Sequence, residues 1–531
     1  MLFTSYGFIG FVSILCILYY TCFRRLQWIL LLLAGYVFYA FYDPRYLIFI
    51  LATTLTIYFA TIQIGKNYEV QKAYLKENKQ TLSKEEKKAY KDVQKKKRTR
   101  WQVACVLVNL GILAVVKYAS FFVANIESVM HLFGSEKSLG AVNFLVPLGI
   151  SFYTFQALSY LIDVSRGTIE PEKNPAKLAL FISFFPLLVQ GPISRFSQLG
   201  KTLYTRHDFD SDTFTRGLMR VMWGFFKKLV VADRILPGVT TIISDIHAYN
   251  GGYAFFGMLF YTIQLYADFT GGIDITIGVA QMLGVEVTEN FNLPYFSTSL
   301  KEYWRRWHIT MCNWFRDYIF YPVSTSNAMM KLTKRTVKIF GQKVGKRIPV
   351  YVSSFLVWFA TGIWHGASWN FIVWGLLNWL ILMVSEELEG LYDGFHKRCA
   401  WTNGGAYKIF MILRTFLLIC VLNLFDCFSD VRDTIGALLS MFTSANWSAC
   451  FSGGLLDIGL SASDYLAAGI GVLVMLTVSL IKLKKPDVRG LVLEKPFAAR
   501  YAICFLLFTV ILVFGAYGIG YESGQFIYNR F

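Results

Sequence analysis

Two of the six histidines in this 531-residue chain stand where an imidazole is costly. His365 lies within Ala360-Thr361-Gly362-Ile363-Trp364-His365-Gly366-Ala367-Ser368-Trp369-Asn370, inside a long apolar run. Upstream, Val350 to Phe359 is apolar except for Ser353 and Ser354; downstream, Asn378 is the main exception in Phe371 to Val384. A histidine in a membrane-length segment faces a cavity or a pathway rather than lipid. His308 follows Trp304-Arg305-Arg306-Trp307, close to a basic stretch of the chain. An imidazole with an ordinary pKa of about 6.5 is mostly neutral at pH 7, and apolar surroundings lower it further. Such a ring can take the proton of an alcohol as that alcohol attacks a thioester, a role worth about 10² to 10⁴-fold in rate. The competing reading is a packed histidine that hydrogen-bonds a neighbouring helix. No zinc-binding spacing, phosphate-binding loop, Gly-x-Ser-x-Gly elbow or dinucleotide fingerprint accompanies the pair, so no metal or resident cofactor is expected.

The surroundings of each histidine give it a place. Gly366-Ala367-Ser368 permits a tight turn, so His365 is expected at the tip of a helical hairpin, in a polar cavity, with Trp364 and Ser368 beside it. Lys331 to Arg347 carries seven basic residues and no acidic one, which marks it as cytoplasmic. His365 lies 18 residues beyond Arg347, about 27 Å along a helix, past the middle of a hydrocarbon core of about 30 Å. Around His308, helical spacing puts Arg306, Thr310, Asn313 and Asp317 on one face and Trp304, His308, Met311 and Phe315 on another. That pattern describes either an interfacial anchor with snorkelling arginines or a cytoplasmic-side surface for an anionic group, with Arg305, Arg306 and Arg316 as its cations. Coenzyme A, with its phosphates, fits the second reading.

These stretches need a membrane-embedded scaffold. Hydrophobic residues make up 55% of the chain and mean hydropathy is +0.45, which identifies an all-α polytopic membrane protein. The net charge of +18 falls in short loops between apolar runs, so it is read as topology-setting and lipid-contacting rather than as a nucleic-acid surface. About ten or eleven spans are expected, with re-entrant or interfacial pieces, in one domain covering 1–531. No cleavable leader is apparent, and both termini are placed outside. Within the domain, 66–101 is a charged cytoplasmic loop, partly helical, 264–380 a motif-rich core and 426–464 an external region, across which a Cys427–Cys450 disulfide is conceivable. Gln156 faces a cavity from a kinked span. Leu178 to Val189 is too short to cross. Phe214 to Val231, with Lys227 and Lys228, lies along the inner interface. Tyr253 to Leu283 carries Gln264, Asp268 and Asp274, and a break at Gly271-Gly272 is expected to hydrate these carboxylates.

The motifs also resemble a known family. Phe38 to Arg45, Gln264 to Gly271 and Glu289 to Tyr295 (with Asn290 and Asn292), together with Tyr303-Trp304-Arg305-Arg306-Trp307-His308-Ile309 and Ile363-Trp364-His365-Gly366-Ala367-Ser368-Trp369, are similar to the membrane-bound O-acyltransferases, in particular the bacterial branch that serves alginate, peptidoglycan and exopolysaccharide O-acetylation. The resemblance implies a ring of helices around a central tunnel, with His365 as catalytic histidine and His308 as the second functional one. It also implies acetyl-CoA as a cytoplasmic donor, an extracytoplasmic SGNH-type acetyltransferase as partner and a polysaccharide acceptor. Two other classes compete. A transporter or flippase would line its route with Asp268 and Asp274, though no inverted repeat is visible. A scaffold for polysaccharide machinery would leave both histidines packed.

Overall fold

The structure is a computed structural model that describes residues 3–135, 137–140, 144, 146–444 and 446–517. It consists of helices, and no strand occurs among the described residues. Seven helices among them are long and apolar enough to cross a bilayer: Pro44–Glu77, Lys84–Leu132, Ile348–His365, Trp369–Glu387, Gly405–Cys427, Ala462–Lys484 and Phe497–Phe514. Tyr6–Tyr20 and Gln27–Ala40 are apolar but shorter. The expected total of ten or eleven is reached only by adding these two and the more polar helices Ile150–Arg166 and Gly252–Met282. The expected external segment after Gly518 and part of the loop following Leu132 lie outside the described residues.

The chain forms two compact units, 1–214 with 279–287, and 215–278 with 288–531. In the first, aromatic rings make the core: Phe3, Phe8, Phe38 and Phe185 stack at tilted or edge-on angles, all buried. The short apolar run after Asn174, expected to be too short to cross, is a broken helix, Pro175–Ser183 then Phe185–Leu188. Its far end rests on Gly149, whose φ of 68° suits glycine and whose missing Cβ makes room for the carbonyl of Leu188. The charged stretch Lys66 to Arg100, expected to be partly helical, is helical over most of its length. The helix Leu47–Glu77, about 46 Å long at 1.5 Å per residue, carries its first part well past a 30 Å hydrocarbon core; Lys84–Leu132 carries the rest. Only Asn78 to Ser83 is loop, closed by a capping box in which Ser83 and Glu86 satisfy each other's amides. Arg98 is buried between the arms, donating to Asn67 and Gln71.

In the second unit, Gly252–Met282 is one unbroken helix, so the break expected at Gly271-Gly272 does not form. These glycines belong instead to a close helix crossing. A Cβ on Gly224 would lie 2.5 Å from the carbonyl oxygen of Gly271, and one on Gly278 2.7 Å from that of Gly217. The helix Ser211–Phe225 and the π-helical turn Phe226–Ala232 therefore press backbone to backbone on Gly252–Met282. The carboxylates are charge-paired across this contact rather than hydrated at a break. Lys228 reaches Asp268 at 2.5 Å and Asp233 at 2.7 Å, and Lys227 and Arg220 share Asp274 at 2.6 and 2.8 Å. Both lysines are buried, which corrects their placement along the inner interface. All nine cysteines are free, Cys427 and Cys450 included, so the conceivable disulfide is not formed.

Candidate active site

The Ile348–His365 helix ends on His365, and Trp369–Glu387 begins after the Gly366-Ala367-Ser368 turn, giving the expected hairpin with the imidazole at its tip. Gly366 is extended, at φ −174°, and a Cβ there would strike the Phe371 ring at 2.2 Å. Aromatic rings pack around the imidazole. Trp374 stands edge-on at 4.5 Å between centroids, Phe371 stacks at 6.0 Å and Trp364 lies at 5.1 Å. His365 is 9% exposed. Asn370, in the first turn of the second helix, is buried and donates to the carbonyl of Phe428 and to Thr434, which ties the hairpin tip to the chain beyond Cys427.

The single amphipathic helix expected around His308 is broken. Leu300–Arg306 stops, Trp307 is extended and His308 takes φ 45°, ψ 50° before Ile309–Phe315 begins. Left-handed backbone at a non-glycine residue costs about 1–3 kcal/mol and persists only where neighbours enforce it. Asn290 supplies the enforcement. Its carbonyl accepts from the amide of Ile309 at 2.9 Å, while its Oδ1 accepts from the amide and the hydroxyl of Thr310 at 3.0 and 2.9 Å. The same side chain lies 3.3 Å from His308 Nδ1. Asn292 is exposed, but its amide donates to the carbonyl of Arg306 at 2.9 Å, locking loop and helix end together. The periodicity predicts one helix because it registers side chains alone, whereas the break is made by backbone bonds to a loop 18 residues earlier.

His308 is fully buried. Its ring meets Phe269 edge-on at 5.0 Å and Trp364 at 5.9 Å. Trp364 thus touches both imidazoles. Burial first, and the neighbouring His365 second, hold the His308 imidazole well below its ordinary pKa, in the neutral form. Trp307 closes one side, packed on Phe269, Phe291 and Tyr303. Trp304 donates to Asn378 at 3.0 Å and packs edge-on against Trp374 at 5.6 Å, behind His365.

The other predicted residues are scattered. Arg305 is exposed, Arg306 is paired with Glu302 at 2.6 Å, and Arg316 is exposed and paired with Asp317 at 3.0 Å. No shared anion site among the three arginines follows from these positions. Gln264 is buried, and Asp268 is fully buried in the ion pair with Lys228. Ser368 is half-buried in the turn. Gln156 belongs to the first unit, where it donates to the carbonyl of Phe181 at 2.5 Å. Sequence reasoning passed over Trp374 and Phe371 around His365 and Arg220 on Asp274; the Asp268 and Asp274 pair was the signal that cations had to be close by. No cluster that could hold a metal ion occurs among the described residues.

The family model described as "MBOAT, membrane-bound O-acyltransferase family" matches residues 31–335, which include His308. A protein named "Probable alginate O-acetylase AlgI" from Azotobacter vinelandii is 34% identical over 73% of this chain and 69% of its own length. The Helicobacter pylori peptidoglycan O-acetyltransferase is 27% identical over 75% and 72%, and the Bacillus subtilis teichoic acid D-alanyltransferase 26% identical over 52% and 68%.

Proposed function

This chain belongs to the membrane-bound O-acyltransferase family and is a multi-pass membrane acyltransferase, and from that premise we propose that it moves an acetyl group from cytoplasmic acetyl-CoA to hydroxyl groups of a cell-wall polymer or exopolysaccharide outside the cell membrane. The observation that carries the reading is the meeting of His308 and His365 on one indole, Trp364, in a buried aromatic site. His365 acts as general base. Its imidazole takes the proton of the attacking hydroxyl while the hydroxyl oxygen bonds to the thioester carbonyl carbon; the carbon–sulfur bond then breaks and the thiolate leaves. Aromatic walls exclude competing water, and a neutral His308 next to His365 avoids opposing the imidazolium that forms there. The names of the relatives, two of them O-acetylating and one D-alanylating, favour an acyl group passed to a surface polymer. An extracytoplasmic acetyltransferase of the SGNH type is the natural recipient or helper.

The test is release of free coenzyme A from acetyl-CoA by purified protein, with a hydroxyl acceptor or the partner present. His365→Ala abolishes release while the protein still inserts and keeps its melting profile. Unchanged turnover in that variant defeats the assignment. The transporter reading is separated by the same assay, since it predicts movement of substrate without thioester cleavage.

A further inference from the structure

A recess of about 80 Å³ opens beside the Arg220–Asp274–Lys227 cluster, walled by Tyr266, Phe291 and the last turns of the Ala462–Lys484 helix. It is polar and roomy enough to admit a phosphate group. Its charges are unevenly held. Asp274 is 16% exposed at its side chain and bound by both Lys227 and Arg220. Glu289 is 55% exposed, and its two oxygens accept from the two ends of the Arg220 fork at 2.6 Å each. Asp274 is therefore the permanent partner and Glu289 the displaceable one. Lys482 lines the recess with no carboxylate within ion-pair distance among the described residues.

We propose that this recess is a phosphate-binding subsite for the acyl donor, in which one donor phosphate takes the place of Glu289 on Arg220 and rests on Lys482. The Arg fork matches phosphate as it matches carboxylate. With Glu289 withdrawn, the lining sets Arg220, Lys227 and Lys482 against Asp274, with Arg489 close to the same cluster, an excess of positive charge that a phosphate neutralises. The subsite is also wired to the histidines by three consecutive residues. Glu289 holds Arg220, Asn290 holds the left-handed backbone of His308, and Phe291 packs on Trp307 and Phe269. Release of Glu289 by an arriving phosphate thus acts one residue away from the group that positions His308. The subsite rests on the acyl-transfer reading for its ligand. The donor cations expected at Arg305, Arg306 and Arg316 are replaced by this set.

The measurement is calorimetric binding to the full-length protein in detergent, with coenzyme A, phosphate-free pantetheine and phosphatidylglycerol as probes. Lys482→Gln, a single exposed-end substitution that spares the buried pairs, weakens coenzyme A about tenfold, the loss of one charged hydrogen bond. Glu289→Gln, which removes the competing charge, tightens it. Pantetheine responds to neither. Coenzyme A affinity unchanged in both variants overturns the proposal, and Lys482-dependent binding of phosphatidylglycerol but not coenzyme A overturns it in favour of a lipid headgroup site. Failure of acyl transfer is seen separately: wild-type protein that binds coenzyme A through Lys482 yet releases none from acetyl-CoA refutes the enzyme reading and leaves the subsite standing.

Discussion

At the residue scale, His308 is defined by a backbone that few side chains adopt. His308→Asn keeps the fold, because asparagine tolerates left-handed φ, and it sharply lowers coenzyme A release, because the neutral ring packed beside His365 and Trp364 is lost; turnover and melting temperature measured together separate the two effects. The depressed pKa also has a stability consequence. Above about pH 6.5 the folded and unfolded chains both carry this imidazole neutral. Below that pH the unfolded chain takes up a proton that the fold refuses, so stability falls with acidification. Melting temperature in detergent should drop from pH 7 to pH 5.5, and His308→Asn should flatten that slope. Both histidines were legible from sequence because an ionisable side chain in apolar surroundings is conspicuous. The strain at His308 was not, since it arises from Asn290, and a loop carbonyl that captures an amide 19 residues later leaves no mark in hydrophobic periodicity.

At the scale of elements, Gly252–Met282 shows how a correct alarm leads to a wrong remedy. Asp268 and Asp274 signalled that carboxylates in apolar surroundings need compensation, and a broken, hydrated helix is one solution. The fold uses another: glycines at 217, 224, 271 and 278 remove the side chains between two helices, and cations from the facing turn close on the acids. Long-range pairing of this kind cannot be read from one helix's pattern. Gly224→Val forces a side chain into the Gly271 carbonyl and costs at least the 1–3 kcal/mol typical of overpacking, read as a lowered melting temperature. Lys228→Met strands two buried carboxylates, costs about 3–5 kcal/mol, and regains part of that loss when Asp268 is also replaced by leucine. The hairpin carrying His365 was readable in full because its signal is local: apolar runs on both sides of a Gly-Ala-Ser turn.

At the scale of the whole chain, composition alone announced a polytopic membrane protein, and helix length divided it further. Among the described residues, length and hydropathy single out seven helices; the remainder are shorter or more polar. The charge asymmetry of the loops gives an orientation that labelling checks. A cysteine placed at Lys96 reacts with membrane-impermeant reagent only after the membrane is opened, and one placed at Ser452 reacts on intact cells; the reverse pattern inverts the topology. The nine native thiols bear on more than that experiment. Because none of them is joined to another, the architecture owes nothing to oxidative cross-linking. Reducing agents should leave its thermal midpoint where it was, and a host lacking any thiol-oxidising apparatus at its cell surface should still produce it in working order.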